Sequence, residues 1–192
     1  APGDASLRIQ LGSIRLQLGD LPGTIDACTR ALAIDPRAPR GHLYRGMALD
    51  RAGRAQEALA DLDRAIALDP ADAAARVERG RVLANAGRLE EARVDLDRAV
   101  SLAPTDPVAW GTRGQARDLA GDRPGALADL DEAVRLDPRR GLWRSCRGRI
   151  LEALGRVREA EADLRAALAL VDPSDAAAAQ LRSDLERLAR AR

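Results

Sequence analysis

Lysine is missing from this chain, so all 31 basic residues are arginine. Without lysine there is no P-loop to grip a phosphate and no amine for Schiff-base chemistry. Phenylalanine is absent too, and one Tyr and two Trp are the only aromatics in 192 residues. Stacking of unpaired bases would have to rest on those three rings. One His and two Cys cannot build a multi-histidine zinc site. The cysteines, Cys28 and Cys146, make no disulfide framework. No apolar run approaches the roughly 18–20 residues of a membrane-spanning helix, so membrane insertion is not expected. The chain opens Ala1-Pro2-Gly3 with no signal-peptide pattern. It reads as a processed protein or an excised segment, with cytoplasm favoured over periplasm. The arginine- and alanine-rich composition suggests a G+C-rich bacterial source.

What is present points to helix. Apolar residues make up 46%, enough for a core, and 30 acidic residues balance the 31 arginines. Alanine and leucine abound while β-branched residues are few, which favours helix. The sequence repeats itself at a fixed interval. Pro36, Pro70, Pro104 and Pro138 are each 34 residues apart, and Pro173 follows at 35. Gly12, Gly46, Gly80, Gly114 and Gly148 keep the same register, as do Gly19, Gly53, Gly87, Gly121 and Gly155. So do Ala31, Ala65, Ala99, Ala133 and Ala167. Five units follow, at 5–38, 39–72, 73–106, 107–140 and 141–174, after a short tail at 1–4. Such a period marks a stacked repeat architecture.

Each unit reads as two helices. In the third, apolar positions three to four residues apart predict helices over 73–86 and 90–102. The first stops at Gly87, since glycine accepts the left-handed conformation cheaply. The second stops before Pro104, because the residue preceding a proline is driven out of the helical region. Residues 175–191 carry the stripe Ala177, Leu181, Leu185 and Leu188 with charges mostly elsewhere. That pattern suits a terminal helix covering the last repeat.

In these recurring positions the chain resembles the tetratricopeptide repeat family. Its pattern is a 34-residue helix–turn–helix with Gly at position 8, Ala at 20 and 27, and Pro at 32. Leu11-Gly12 matches the Leu-Gly pair at 7–8. Ala58, Ala92, Ala126 and Ala160 match position 20, where the first unit has Thr24. Leu62, Leu96, Leu130 and Leu164 occupy position 24, where the first unit has Cys28. Position 4, a bulky residue in the family, holds Arg8, His42, Arg76, Trp110 and Arg144. The resemblance implies an all-α, right-handed α-solenoid of five helix-turn-helix units and a capping helix. It also implies a non-enzymatic module that takes a protein or peptide partner in its concave groove.

The charges ask whether that groove is basic. The first fourteen positions of the five units carry 13 Arg against 4 acids. Four of those arginines, Arg45, Arg79, Arg113 and Arg147, share position 7. Position 23 of the same units holds Asp61, Asp95, Asp129 and Asp163, while the first unit has Leu11 and Ala27 instead. Presence and loss together predict an Arg–Asp bridge inside each of the four units. At the positions that face inward in the family, Arg40, Arg51, Arg81 and Arg149 meet Asp50, Glu78, Asp118 and Glu152. The groove is neutral, and with few aromatics a nucleic-acid partner is not expected.

Other site chemistry is thin. His42 lacks a second histidine, Cys28 replaces a core leucine, and Cys146 has only Arg149 near it to activate a thiol. No nucleophile–base pair, phosphate loop or metal-ligand spacing is present, so neither catalysis nor a cofactor is expected. The family's clamp for acidic chaperone tails needs basic and Asn residues where this chain has Ile9, Ser13, Tyr44, Ala74 and Glu78. That partner is not expected either. The peptide-binding candidates are Ile9, Leu43, Tyr44, Met47, Val77 and Arg81, because aromatic, Met and Arg anchors concentrate binding energy. The alternative is a structural or oligomerisation segment of a larger protein, with a homo-oligomer as the partner.

Overall fold

The computed structural model describes residues 2–190, and the described residues form eleven α-helices and no strand. They are α1 Pro2–Gln17, α2 Leu21–Ile34, α3 Pro39–Arg51, α4 Ala55–Leu68, α5 Ala73–Asn85 and α6 Leu89–Leu102. Then come α7 Pro107–Leu119, α8 Arg123–Leu136, α9 Gly141–Ala153, α10 Val157–Leu168 and α11 Ala176–Arg190. The chain divides after Leu102 into two compact bodies. The first holds three antiparallel helix pairs, α1–α2, α3–α4 and α5–α6. The second holds α7–α8, α9–α10 and the single helix α11.

The pairing follows from a few small residues. Within each pair a glycine on the first helix meets the second helix closely: a Cβ added to Gly80 would stand 2.7 Å from Leu96 and 3.3 Å from the Ala92 carbonyl. The turn between the helices is made by Gly19, Gly53, Gly87, Gly121 or Gly155, all at φ between 76° and 83°, a region costly for other residues. Asp20, Asp72, Asp106 and Asp122 cap α2, α5, α7 and α8 through their side chains. Leu62, Leu96, Leu130 and Leu164 are fully buried between the helices. In the second body α11 lays Leu181 and Leu188 over Leu164 and Leu151 and leaves Arg182, Glu186, Arg187 and Arg190 exposed, while Asp184 is buried and accepts from Gln180 and Arg187.

All four anticipated ion pairs form, each through two hydrogen bonds. Arg45 reaches Asp61 at 2.6 and 2.8 Å, and Arg79 reaches Asp95 at 2.6 and 2.7 Å. Arg113 binds Asp129 at 2.8 Å twice, and Arg147 binds Asp163 at 2.6 and 2.7 Å. The aspartates are buried, so each carboxylate depends on these partners.

The unusual residues at position 4 complete the same network. Arg76 Nη2 donates to the Pro70 carbonyl at 3.1 Å, and Nη1 approaches Asp95 at 3.5 Å. Arg144 does likewise toward Pro138 and Asp163, at 3.3 and 3.6 Å. His42 stands between Asp61 and the Pro36 carbonyl, 3.0 Å from each. Trp110 donates Nε1 to the Pro104 carbonyl at 2.8 Å but offers nothing to Asp129. There Arg117 supplies the second contact instead, at 3.0 Å.

Candidate functional site

The groove of the first body is built by α1, α3 and α5 and the turns that precede α3 and α5. A cavity of about 750 Å³ opens there, lined by Ile9 and Ser13 of α1, Tyr44 of α3, and the turns around Asp35–Arg40 and Asp69–Ala74. Its carboxylates also accept from backbone amides. Asp35 accepts from the Arg37 amide at 3.0 Å, Asp69 from Ala71 at 3.1 Å, and Asp72 from Ala74 and Ala75 at 2.9 and 3.2 Å. Its guanidinium groups, Arg37 and Arg40, make no ion pair among the described residues. The cavity therefore offers two guanidinium groups beside three carboxylates, an apolar floor and a phenol.

The six sequence candidates fall into three kinds of place. Ile9 and Tyr44 line the cavity and are half-exposed. Met47 is half-buried one turn further along α3. Leu43 and Val77 are buried in the packing between helices and support this surface from beneath. Arg81 is held by two carboxylates, Asp50 at 2.9 Å and Glu78 at 2.6 Å. Burial opposes its charge, but Glu78 and Asp50 outweigh that and keep the guanidinium firmly protonated. It staples α3 to α5. Arg37 was not among the candidates; its signal, a turn arginine three residues before Arg40, is visible only once the turn is seen to border the groove.

In the second body, the corresponding surface includes Cys146, whose Sγ accepts from Gln115 Nε2 at 3.2 Å. Burial pushes this thiol up from its ordinary range despite that bond and Arg149. Cys28, fully buried, is pushed up to about 11 by the same cause. Both cysteines are free, and neither environment promotes a thiolate. Among the described residues no group of three His, Cys, Asp or Glu side chains could hold a metal. No described helix is long and apolar enough to cross a membrane.

The fold has counterparts among solved structures. A thermophilic tetratricopeptide repeat protein of Thermus thermophilus, TTC0263, is 23% identical, with 97% of this chain and 99% of that chain covered and a TM-score of 0.82. PilF of Pseudomonas aeruginosa is 19% identical over 98% of this chain and 88% of its own, with a TM-score of 0.81. A chain of the APC/C hetero-tetramer Cut9-Hcn1 is 15% identical and aligns with all of this chain over 37% of its own length, with a TM-score of 0.89. A comparison with curated proteins finds no match. The tetratricopeptide repeat pattern itself matches residues 43–107 and 112–176, a family whose repeats generally mediate protein–protein interaction and are typically non-catalytic. With more than half of its length in those two matches and five glycine-turned helix pairs, the chain belongs to the tetratricopeptide repeat family.

Proposed function

We propose that this chain is a non-enzymatic adaptor that binds a segment of a partner protein in the groove of the first body. Ile9, Tyr44 and Met47 form the contact surface, Leu43 and Val77 fix its shape, and Arg81 holds α3 and α5 at the right spacing. The observation that carries this reading is the cavity beside Tyr44, where Ile9 and the phenol lie next to Arg37 and Arg40, which make no ion pair among the described residues. An extended or short helical segment with one apolar anchor and a carboxylate suits that chemistry. Resemblance to a chain of Cut9-Hcn1, itself a protein assembly by its description, agrees with a protein partner.

Peptides pairing an aromatic or aliphatic anchor with Asp or Glu, titrated by fluorescence anisotropy, test it. Tyr44→Ala is expected to weaken binding about 10-fold, the 1–2 kcal/mol typical of an anchor. Raising salt should weaken it only modestly, whereas a nucleic-acid partner would show a steep slope. Unchanged affinity in Tyr44→Ala, with loss on Arg149→Ala, would place the site in the second body instead.

A further inference from the structure

The turns that lead into α3, α5, α7 and α9 are each tied down by the side chain at position 4. Arg76 Nη2 donates to Pro70 O at 3.1 Å, Trp110 Nε1 to Pro104 O at 2.8 Å and Arg144 Nε to Pro138 O at 3.3 Å. Guanidinium and indole donors keep their protons at any ordinary pH. The turn before α3 is held differently. His42 Nε2 stands 3.0 Å from Pro36 O while Nδ1 stands 3.0 Å from Asp61 Oδ1. A carbonyl can only accept. So can Asp61: burial would raise its carboxyl, but Arg45 and His42 outweigh that and keep it ionised. Both ring nitrogens therefore face acceptors, and only the doubly protonated imidazolium donates to both. His42 does with a removable proton what Arg76 and Arg144 do with a permanent charge.

We propose that His42 makes the turn at Asp35–Ala38, and with it the groove beside Tyr44, responsive to pH; the effect on a partner rests on the groove reading above, the effect on the turn does not. Losing one proton forces the ring to choose between its acceptors. It keeps Nδ1–H, because a carboxylate is the stronger acceptor, and Nε2 then sets a lone pair against Pro36 O. The carbonyl loses its donor and the turn is no longer held. That turn gives Asp35, Arg37 and Ala38 to the cavity wall. The second turn in the same wall, around Asp69–Ala74, is held by Arg76 and stays in place. The groups around the ring set the direction. Asp61 comes from α4, and Arg45 of α3 itself shares that carboxylate at 2.6 and 2.8 Å. On α2 the Cys28 thiol, pushed up to about 11 by burial, stays neutral. In the turn, Asp35 accepts from the Arg37 amide. Lower pH therefore fastens the turn and higher pH frees it.

His42 is the one histidine of the chain, so its ring nitrogens give isolated signals in long-range proton–nitrogen NMR of the free protein. Between about pH 5.5 and pH 8, where histidines ordinarily change charge, the ring is expected to pass from two protons to one, keeping Nδ1–H. The amide signals of Arg37 and Ala38 should follow that titration, and those of Ala71 and Ala74 should not. The probe for the groove is a labelled peptide with blocked ends, one leucine anchor and one aspartate. It is expected to bind about 3- to 10-fold tighter at the lower pH, the worth of one hydrogen bond. His42→Arg, which copies α5 and α9, should bind it tightly at both. A ring with one proton at about pH 5.5, or turn signals that do not follow the ring, overturns the proposal. So does a pH difference that persists in His42→Arg. Equal binding at both pH values that Tyr44→Ala still weakens upholds the groove and overturns the switch. Turn signals that follow the ring while no peptide binds uphold the switch and remove the groove reading instead.

Discussion

The pair α1–α2 and the four pairs after it solve one packing problem in two ways. Both press a glycine of the first helix against the second. In α1–α2 the contact is closed by Cys28 and by Thr24, whose Oγ1 donates to the carbonyls of Gly12 and Asp20 at 3.3 and 2.8 Å. In the others a buried aspartate sits beside that contact and holds an arginine in a two-bonded fork. Since the first pair packs without it, the ion pair is not what brings two helices together. Its arginine has a second task in α3, α5 and α9, where it also reaches the preceding pair. The buried charge therefore fixes how one pair is set upon the last, which accords with buried ion pairs specifying an arrangement more than adding stability.

Removing one partner should show this most strongly. Asp95→Ala leaves Arg79 half-buried and is expected to cost about 3–5 kcal/mol, read as a lower urea midpoint. Importing the first pair's solution, Arg79→Leu with Asp95→Ala, should cost less than half as much; an equal cost would mean the charge itself stabilises the fold. His42→Ala strands the Pro36 carbonyl and strips Asp61 of one partner, an expected loss of about 1–3 kcal/mol. His42→Arg, which copies α5 and α9, should recover most of it in the same melt.

Acid offers a gentler handle. Burial alone would raise the Asp61 carboxyl, but the hydrogen bonds from Arg45 and His42 outweigh it and hold the group below the usual carboxylate range. A carboxyl that titrates lower when folded adds stability above its unfolded value, about 3.9, and loses it as pH falls through the folded value. Asp61→Asn should therefore flatten the fall in melting temperature below about pH 4. The smallest effect is expected at Arg54–Glu57, a 2.7 Å pair on the surface. Arg54→Ala should leave the melting temperature unchanged within error, because exposed pairs add little.

Much of this was legible without coordinates. The 34-residue period located the helix pairs, and the joint loss of Arg and Asp in the first unit revealed the bridge before any distance was known. The role of position 4 was not legible. His42, Arg76, Trp110 and Arg144 share no size or charge; what they share is an N–H that reaches a carbonyl six residues earlier, and geometry alone shows it. The groove was half legible. Tyr44 and Ile9 border it as their positions imply, but Arg81 is spoken for by Asp50, thirty-one residues away in sequence. Leu43 and Val77 sit between helices because their position serves packing as much as the inner surface.

The placement of the aromatic rings has an optical consequence. Tyr44 is the only tyrosine and belongs to the first body, while Trp110 and Trp143, the only tryptophans, both belong to the second. Trp143 is buried with its indole N–H unpartnered, so its emission is expected at short wavelength and should redden as water enters. Light absorbed by tryptophan alone reports on residues 103–192, whereas circular dichroism sums every helix. One melt followed by both signals would therefore reveal whether the two halves yield together or in turn, with no label added to the chain.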